Sequence, residues 1–368
     1  MKLVNTPKTM DLHITNRCNL RCTYCSFFSG PGDTGSDLPA EEWLEFFDEL
    51  RRCAVMSVTF EGGEPLIRED LKDLIDGVVR NRMRFSILSN GTLITDEMAA
   101  FIASTGRCDN VQVSIDGSTS ETHDACRGEG NFDKALEGIK KLREHKINTA
   151  VRVTIHRHNV YDLDQIAKVI LEDIGIPDFT TNYASHLGMC RQNANSVQLT
   201  LEELVYAMET LVKLKNKYKG RISGLAGPLA NAERWTWMEQ ARERDSGLSP
   251  NKESGALTGC NGIFSQLAVR SDGIMIPCVQ MAHIELGRIN SDDLKAVWLK
   301  HPELDRLRKR KSIPLDTFEF CRDCDYIPYC TGNCPAISYN YTGMEDHPSP
   351  DACLKRFLEA GGRLPHDA

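Results

Sequence analysis

The stretch RCNLRCTYCSFF (17–28) sets Cys18, Cys22 and Cys25 within eight residues, separated by three and then two others. It directly follows the short β-rich run LHIT (12–15). Three thiols on one short polar loop are poor core material, so the loop reads as a metal site. A [4Fe–4S] cluster held wholly by protein takes four thiolates. Three would leave one iron open to bind a substrate or cofactor directly. A zinc site or three packed thiols are the alternatives, although zinc would also need a fourth ligand.

Beyond this loop the chain alternates strand and helix. Further β-rich runs are SVTF (57–60), RFSILS (84–89), NVQVSI (110–115), TAVRVTI (149–155) and FTTNY (179–183). Helical patterns are PAEEWLEFFDELRRC, REDLKDLIDGVVRN, TDEMAAFIAST, FDKALEGIKKLREH and LDQIAKVILEDI. Such alternation predicts an α/β fold with a parallel sheet and right-handed crossovers. Six units make a partial (β/α)6 barrel. Chemistry in barrels of this kind sits on the loops after the strands' C-terminal ends, which is where the three cysteines fall.

At 368 residues the chain has room for a large domain and a smaller one. Its net charge of −8 excludes the basic face a nucleic-acid partner needs. The N-terminus, MKLVNTPKTMDL, has no apolar signal region, and no apolar run reaches spanning length. A cytoplasmic protein without membrane contact is expected, where grouped cysteines mean metal or catalysis rather than disulfides. Of 14 cysteines, seven lie in the last third: Cys260, Cys278, Cys321, Cys324, Cys330, Cys334 and Cys353.

CxxxCxxC after strand one, with Tyr24 before the last cysteine, resembles the radical S-adenosylmethionine (SAM) superfamily. Other motifs follow in the family's order. GGEP (Gly62, Gly63, Glu64, Pro65) follows strand two and is similar to the segment that receives the methionyl amine; Glu64 would pair with the ammonium. SNG (Ser89, Asn90, Gly91) follows strand three. SIDG (Ser114, Ile115, Asp116, Gly117) ends strand four, where relatives contact the SAM ribose or carboxylate. Arg127 matches a recurrent arginine of the group. The resemblance covers roughly residues 10–185.

The last third resembles the SPASM extension of these enzymes, which holds two auxiliary iron–sulfur clusters. The implied organisation is a core at 1–190, a helical bridging region at 191–259 and an auxiliary domain at 260–368. By this resemblance Cys18, Cys22 and Cys25 hold the SAM cluster, and Cys321, Cys324, Cys330 and Cys353 the second auxiliary cluster. Cys260, Cys278 and Cys334 hold the first, which is then one ligand short. Three [4Fe–4S] clusters and SAM are the implied cofactors. Cys190, just past strand six, is the one spare cysteine placed on the active-site face. It reads as buried packing, a hydrogen-atom donor, or a ligand reaching the first auxiliary cluster.

The resemblance implies reductive cleavage of SAM to a 5′-deoxyadenosyl radical, which takes a hydrogen atom from a ribosomally made peptide or protein side chain. Cross-linking, oxidation or epimerisation would follow, with a flavodoxin- or ferredoxin-type reductant. Only 17 residues precede Cys18, so a peptide would need a separate recognition protein or direct contact with the barrel. The alternative is oxidation of a small alcohol such as a sugar hydroxyl. A sulfatase maturase is a third reading, weakened by Val279 where those enzymes place an aspartate. The basic run RLRKRK (306–311) reads as a solvated helix end, or as a dock for an acidic leader peptide. Trp235 and Trp237 read as an interdomain seal, and His156 and His158 as polar loop residues.

Overall fold

The computed structural model describes residues 3–28, 37–243, 254–260 and 262–365. The stretch 244–253 of the expected bridging region lies outside them. Strand β1 (Thr9–Thr15) is followed by α1 (Ala40–Arg52), β2 (Ser57–Gly62), α2 (Leu71–Arg80), β3 (Arg84–Ser89) and α3 (Asp96–Ser104). Then come β4 (Cys108–Ser114), α4 (Ser120–Arg127), α5 (Asn131–Glu144), β5 (Thr149–Ile155), α6 (Leu163–Lys168) and β6 (Phe179–Tyr183). These six strands are parallel and in sequence order, so the expected partial barrel is present.

Strand periodicity divides each strand between two environments. Met10, Leu12, Phe60, Phe85, Ile87, Val111, Val113, Val151 and Val153 are buried in one core with Trp43, Phe46 and Leu50 of α1 and Leu74 of α2. The alternate residues Glu61, Gln112, Ser114, Arg152, Thr154 and Asn182 are polar and line a central cavity. The apolar face thus anchors the helices while the polar face is left for a ligand.

The sheet is wider than six strands. After the short helices α7 (Gly188–Gln192) and α8 (Ala194–Val197) and the long α9 (Leu201–Lys217), β7 (Ile222–Gly224) adds parallel to β6. Helix α10 (Pro228–Glu243) follows. β8 (Gln266–Val269) then joins the other edge, parallel to β1, and β9 (Ile274–Ile276) and β10 (Gly287–Arg288) continue antiparallel. Ten strands form one sheet, to which the segments expected as bridge and auxiliary domain contribute four. At two to four residues each, these strands are too short to leave a periodic signal.

The rest is helical: α11 (Leu294–Lys300), α12 (Pro302–Lys309), α13 (Pro335–Thr342) and α14 (Leu354–Glu359), joined by 3-10 turns. Trp235 of α10 is 1% exposed, with its ring 4.7 Å from Phe357, and Trp237 packs edge-on against Tyr329. Trp235 therefore seals α10 against the C-terminal region, as expected, while Trp237 touches Tyr329 from an exposed position. The run RLRKRK is solvated only at Lys309 and Lys311; its arginines turn inward. Arg306 pairs with Glu303, Glu345 and Asp346, while Arg308 donates to the carbonyls of Ile263 and Trp298. Arg308 and Arg310 are buried, with their aliphatic stems packed; the Arg308 head reaches those two carbonyls, whereas the Arg310 head has only a 3.3 Å ion pair with Asp346.

Candidate active site

At the C-terminal ends of β1–β6 lies a cavity of about 270 Å³, lined by Cys18, Cys22 and Cys25 together with Tyr24, Gly62, Gly63, Ser89, Asn90, Ser114 and Arg127. The structure thus gathers most of the sequence-expected site residues around one space. Glu64 and Asp116 stand behind its wall.

Why two glycines follow β2 is a matter of backbone approach. The N–H of Gly63 donates to Thr15 O and that of Glu64 to Arg17 O, both at 2.8 Å. A Cβ on Gly63 would lie 2.1 Å from Arg17 O, and one on Gly62 (φ +125°) 2.4 Å from Thr15 O. Only glycine lets this turn lie against the chain leading into Cys18. Asn90 and Asn19 tie the third strand's turn to the same loop, through Nδ2 to Oδ1 at 2.9 Å.

Glu64 is 1% exposed. Its carboxylate accepts from Ser89 Oγ (3.0 Å), Asn90 N (2.7 Å) and Leu66 N (3.2 Å), so it clamps the GGEP and SNG turns together. Burial lifts its pKa from 4.5 to about 7, against these donors. A carboxyl raised on folding stabilises fully below pH 4.5, and that contribution is lost as pH rises through 7. Across this window the wild type should lose stability relative to Glu64→Gln. Urea midpoints at half-unit pH steps measure it; parallel profiles would mean that the carboxyl does not titrate there.

Asp116 is fully buried and accepts from three elements at once: the Tyr24 hydroxyl, Arg127 Nε (2.6 Å) and Thr154 N (2.7 Å). Burial would raise its pKa, but Arg127, with His156 and His123, holds it below the usual range. Arg127 also lies over the Tyr24 ring, 5.5 Å from its centroid. The ring's other neighbour is His156, stacked at 5.2 Å. His156 is fully buried, and burial drops its pKa to about 4, so it is neutral. The sequence reading missed its place beneath the site, and the stretch TIHRHN carries no signal that separates it from exposed His158.

Cys190 on α7 is completely buried with Tyr24, Cys126, Ala184 and Val197 and does not line the cavity. Its electrostatic neighbours are Cys126 and Asp351. Two further thiol groups stand apart. Cys321, Cys324, Cys330 and Cys353 surround a small void, and Cys260, Cys278 and Cys334 are close enough to raise the Cys278 pKa. Val279 follows Cys278 on the wall of a neighbouring cavity and offers no carboxylate.

Do these sets suit iron–sulfur clusters? Burial pushes the thiols of Cys22, Cys278 and Cys321 up to about 12, so they need a metal to be thiolates at neutral pH. Each set groups soft sulfur donors, which is the donor chemistry of iron–sulfur sites; two of the sets line a cavity and the third is close enough to interact electrostatically.

Residues 12–170 match the model of the radical SAM superfamily, and residues 260–325 match that of the SPASM iron-sulfur cluster-binding domain. The chain thus carries a radical SAM domain followed by a SPASM domain. It is 28% identical to the mycofactocin maturase MftC of Mycobacterium tuberculosis, over 97% of this chain and 85% of that protein. The Fe-coproporphyrin III synthase of Methanosarcina barkeri is also 28% identical, over 87% of this chain and 81% of that protein. Among solved structures, Streptococcus suis SuiB bound to its precursor peptide SuiA superposes with a TM-score of 0.73 at 16% identity, covering 95% of this chain and 76% of SuiB. No described helix is long and apolar enough to cross a membrane.

Proposed function

We propose that the chain is a peptide maturase that removes a hydrogen atom from a side chain of a ribosomally made peptide and oxidises it. The observation that carries this reading is the similarity to a maturase along nearly the whole chain, cysteine-rich C-terminal region included. Bound at a cluster on Cys18, Cys22 and Cys25, SAM would supply a 5′-deoxyadenosyl radical after one-electron reduction.

The chain's residues do the positioning. Gly62 and Gly63 keep the wall beside Cys18 free of side chains, so an amino acid moiety can approach the backbone. Ser114, Gln112 and Asn90 offer hydrogen bonds from the strand ends. Phe27, Phe28, Leu88 and Ala184 supply apolar wall that keeps water from a reactive carbon. Asp116 holds Tyr24 and Arg127 in fixed rotamers, so their faces toward the cavity do not reorganise on binding. Cys260, Cys278 and Cys334, and separately Cys321, Cys324, Cys330 and Cys353, would hold two auxiliary clusters that carry an electron away from the oxidised product. A flavodoxin- or ferredoxin-type protein would reduce the SAM cluster.

A porphyrin-sized substrate is the second reading, favoured by the equal identity to a coproporphyrin-acting enzyme. The test is anaerobic incubation with SAM, dithionite and either a library of short ribosomal precursor peptides or Fe-coproporphyrin III, followed by mass spectrometry. A mass change in the peptide alone supports the maturase. Conversion of the porphyrin alone would overturn it.

A further inference from the structure

Arg310 opens a 3-10 turn (Arg310–Ser312) directly after α12 and is only 2% exposed. Its Nε lies 3.3 Å from Asp346 Oδ1, yet neither atom has a hydrogen-bond partner, and Nη2 is orphaned as well. Asp346 turns its other oxygen to Arg306. A buried cation with idle donors is costly, and buried polar groups in folded proteins nearly always find an acceptor. Here Nε has only the ion pair with Asp346, and Nη2 has no acceptor among the described residues.

The surrounding backbone shows what lies beside it. Leu257 N donates to Ile313 O (3.1 Å) and Leu315 N to Gly255 O (2.9 Å), lacing the turn's exit to the chain that enters Cys260. A Cβ on Gly259 would meet Asn333 O at 2.2 Å, so the same chain lies against the approach to Cys334. Cys260 and Cys334 both lie close enough to act electrostatically on Arg310. The arrangement recurs at the other thiol group. There Arg234 has an orphaned buried Nε, lines the void, and feels Cys330 and Cys353.

We propose that Arg310 donates its idle N–H groups to the sulfurs of the cluster held by Cys260, Cys278 and Cys334, and thereby raises that cluster's midpoint potential. This rests on the reading that those cysteines hold a cluster. Reduction adds one electron to the cluster and moves no proton, so its net charge becomes more negative. A fixed guanidinium stabilises that form over the oxidised one, as do hydrogen bonds to sulfur. Arg310 acts here as a positioning and tuning residue, with no contact to substrate.

The test is potentiometric EPR titration, with iron analysis, of full-length reconstituted Arg310→Met, Arg310→Lys and Asp346→Asn proteins. Arg310→Met should weaken reduction of one cluster at least tenfold, a fall of about 59 mV for one electron. Arg310→Lys, which keeps the charge and loses the fork, should fall between it and wild type. Asp346→Asn should leave the potential unchanged or raise it, since it frees the guanidinium further. An unchanged potential in both arginine variants at full iron content would overturn the proposal. So would loss of iron in Arg310→Lys, which would make the residue a folding element. Cys260→Ala separates the two readings: if it keeps every iron, no cluster sits there for Arg310 to tune.

Discussion

Replacing Cys18, Cys22 and Cys25 together with alanine is expected to abolish 5′-deoxyadenosine formation and remove about four of roughly twelve irons. The loop itself should survive. Its shape rests on hydrogen bonds that need no thiol, two between backbone groups and one from a side-chain amide: Thr23 N to Cys126 O, Met189 N to Cys25 O, and Asn193 Nδ2 to Thr23 O, at 2.8 to 3.0 Å. None of the seven cysteines of the C-terminal third lines this cavity, so about eight irons should stay. Iron analysis and chromatography of the dithionite reaction measure both effects. Continued 5′-deoxyadenosine production would place the catalytic cluster elsewhere.

Asp116→Ala is the second large effect. It leaves the Arg127 guanidinium, 7% exposed, without its counter-charge, and strips the Tyr24 hydroxyl and the Thr154 N–H of their acceptor. Breaking a buried pair from one side costs about 3–5 kcal/mol. Much of that cost is the stranded charge, so the double variant Asp116→Ala/Arg127→Met should recover part of it. Denaturant unfolding of the wild type, both singles and the double tests this. A double variant no more stable than Asp116→Ala would show that Arg127 is not the stranded group.

The barrel was legible because its strands are long and its helices amphipathic; β5 and β6 fall where TAVRVTI and FTTNY place them. α4 was not, since SETHDACR is polar and short, and its N-terminus is declared only by the Thr119–Thr122 capping box. The cluster loop was legible because metal ligands need fixed spacing in a short segment. What motifs could not convey is which polar groups the protein uses internally. Glu64 and Asp116 read from sequence as ligand contacts, and the structure adds that their oxygens also accept from Ser89, Asn90, Tyr24, Arg127 and Thr154. Such pairings span 11 to 92 residues of chain, and no local pattern encodes them.

The parallel pairing of β8 with β1, from Thr9–Gln266 to Leu12–Val269, has a consequence for how this chain could ever be divided. β1 is the strand that delivers the Cys18 loop, and its outer edge is covered only by a segment some 250 residues later. A shortened protein ending before β8 would present a bare row of main-chain donors and acceptors, a template for cross-molecular pairing and precipitation. The two halves are therefore one folding unit. Synthesis of the N-terminal half leaves an unfinished surface, which the C-terminal half closes once it leaves the ribosome.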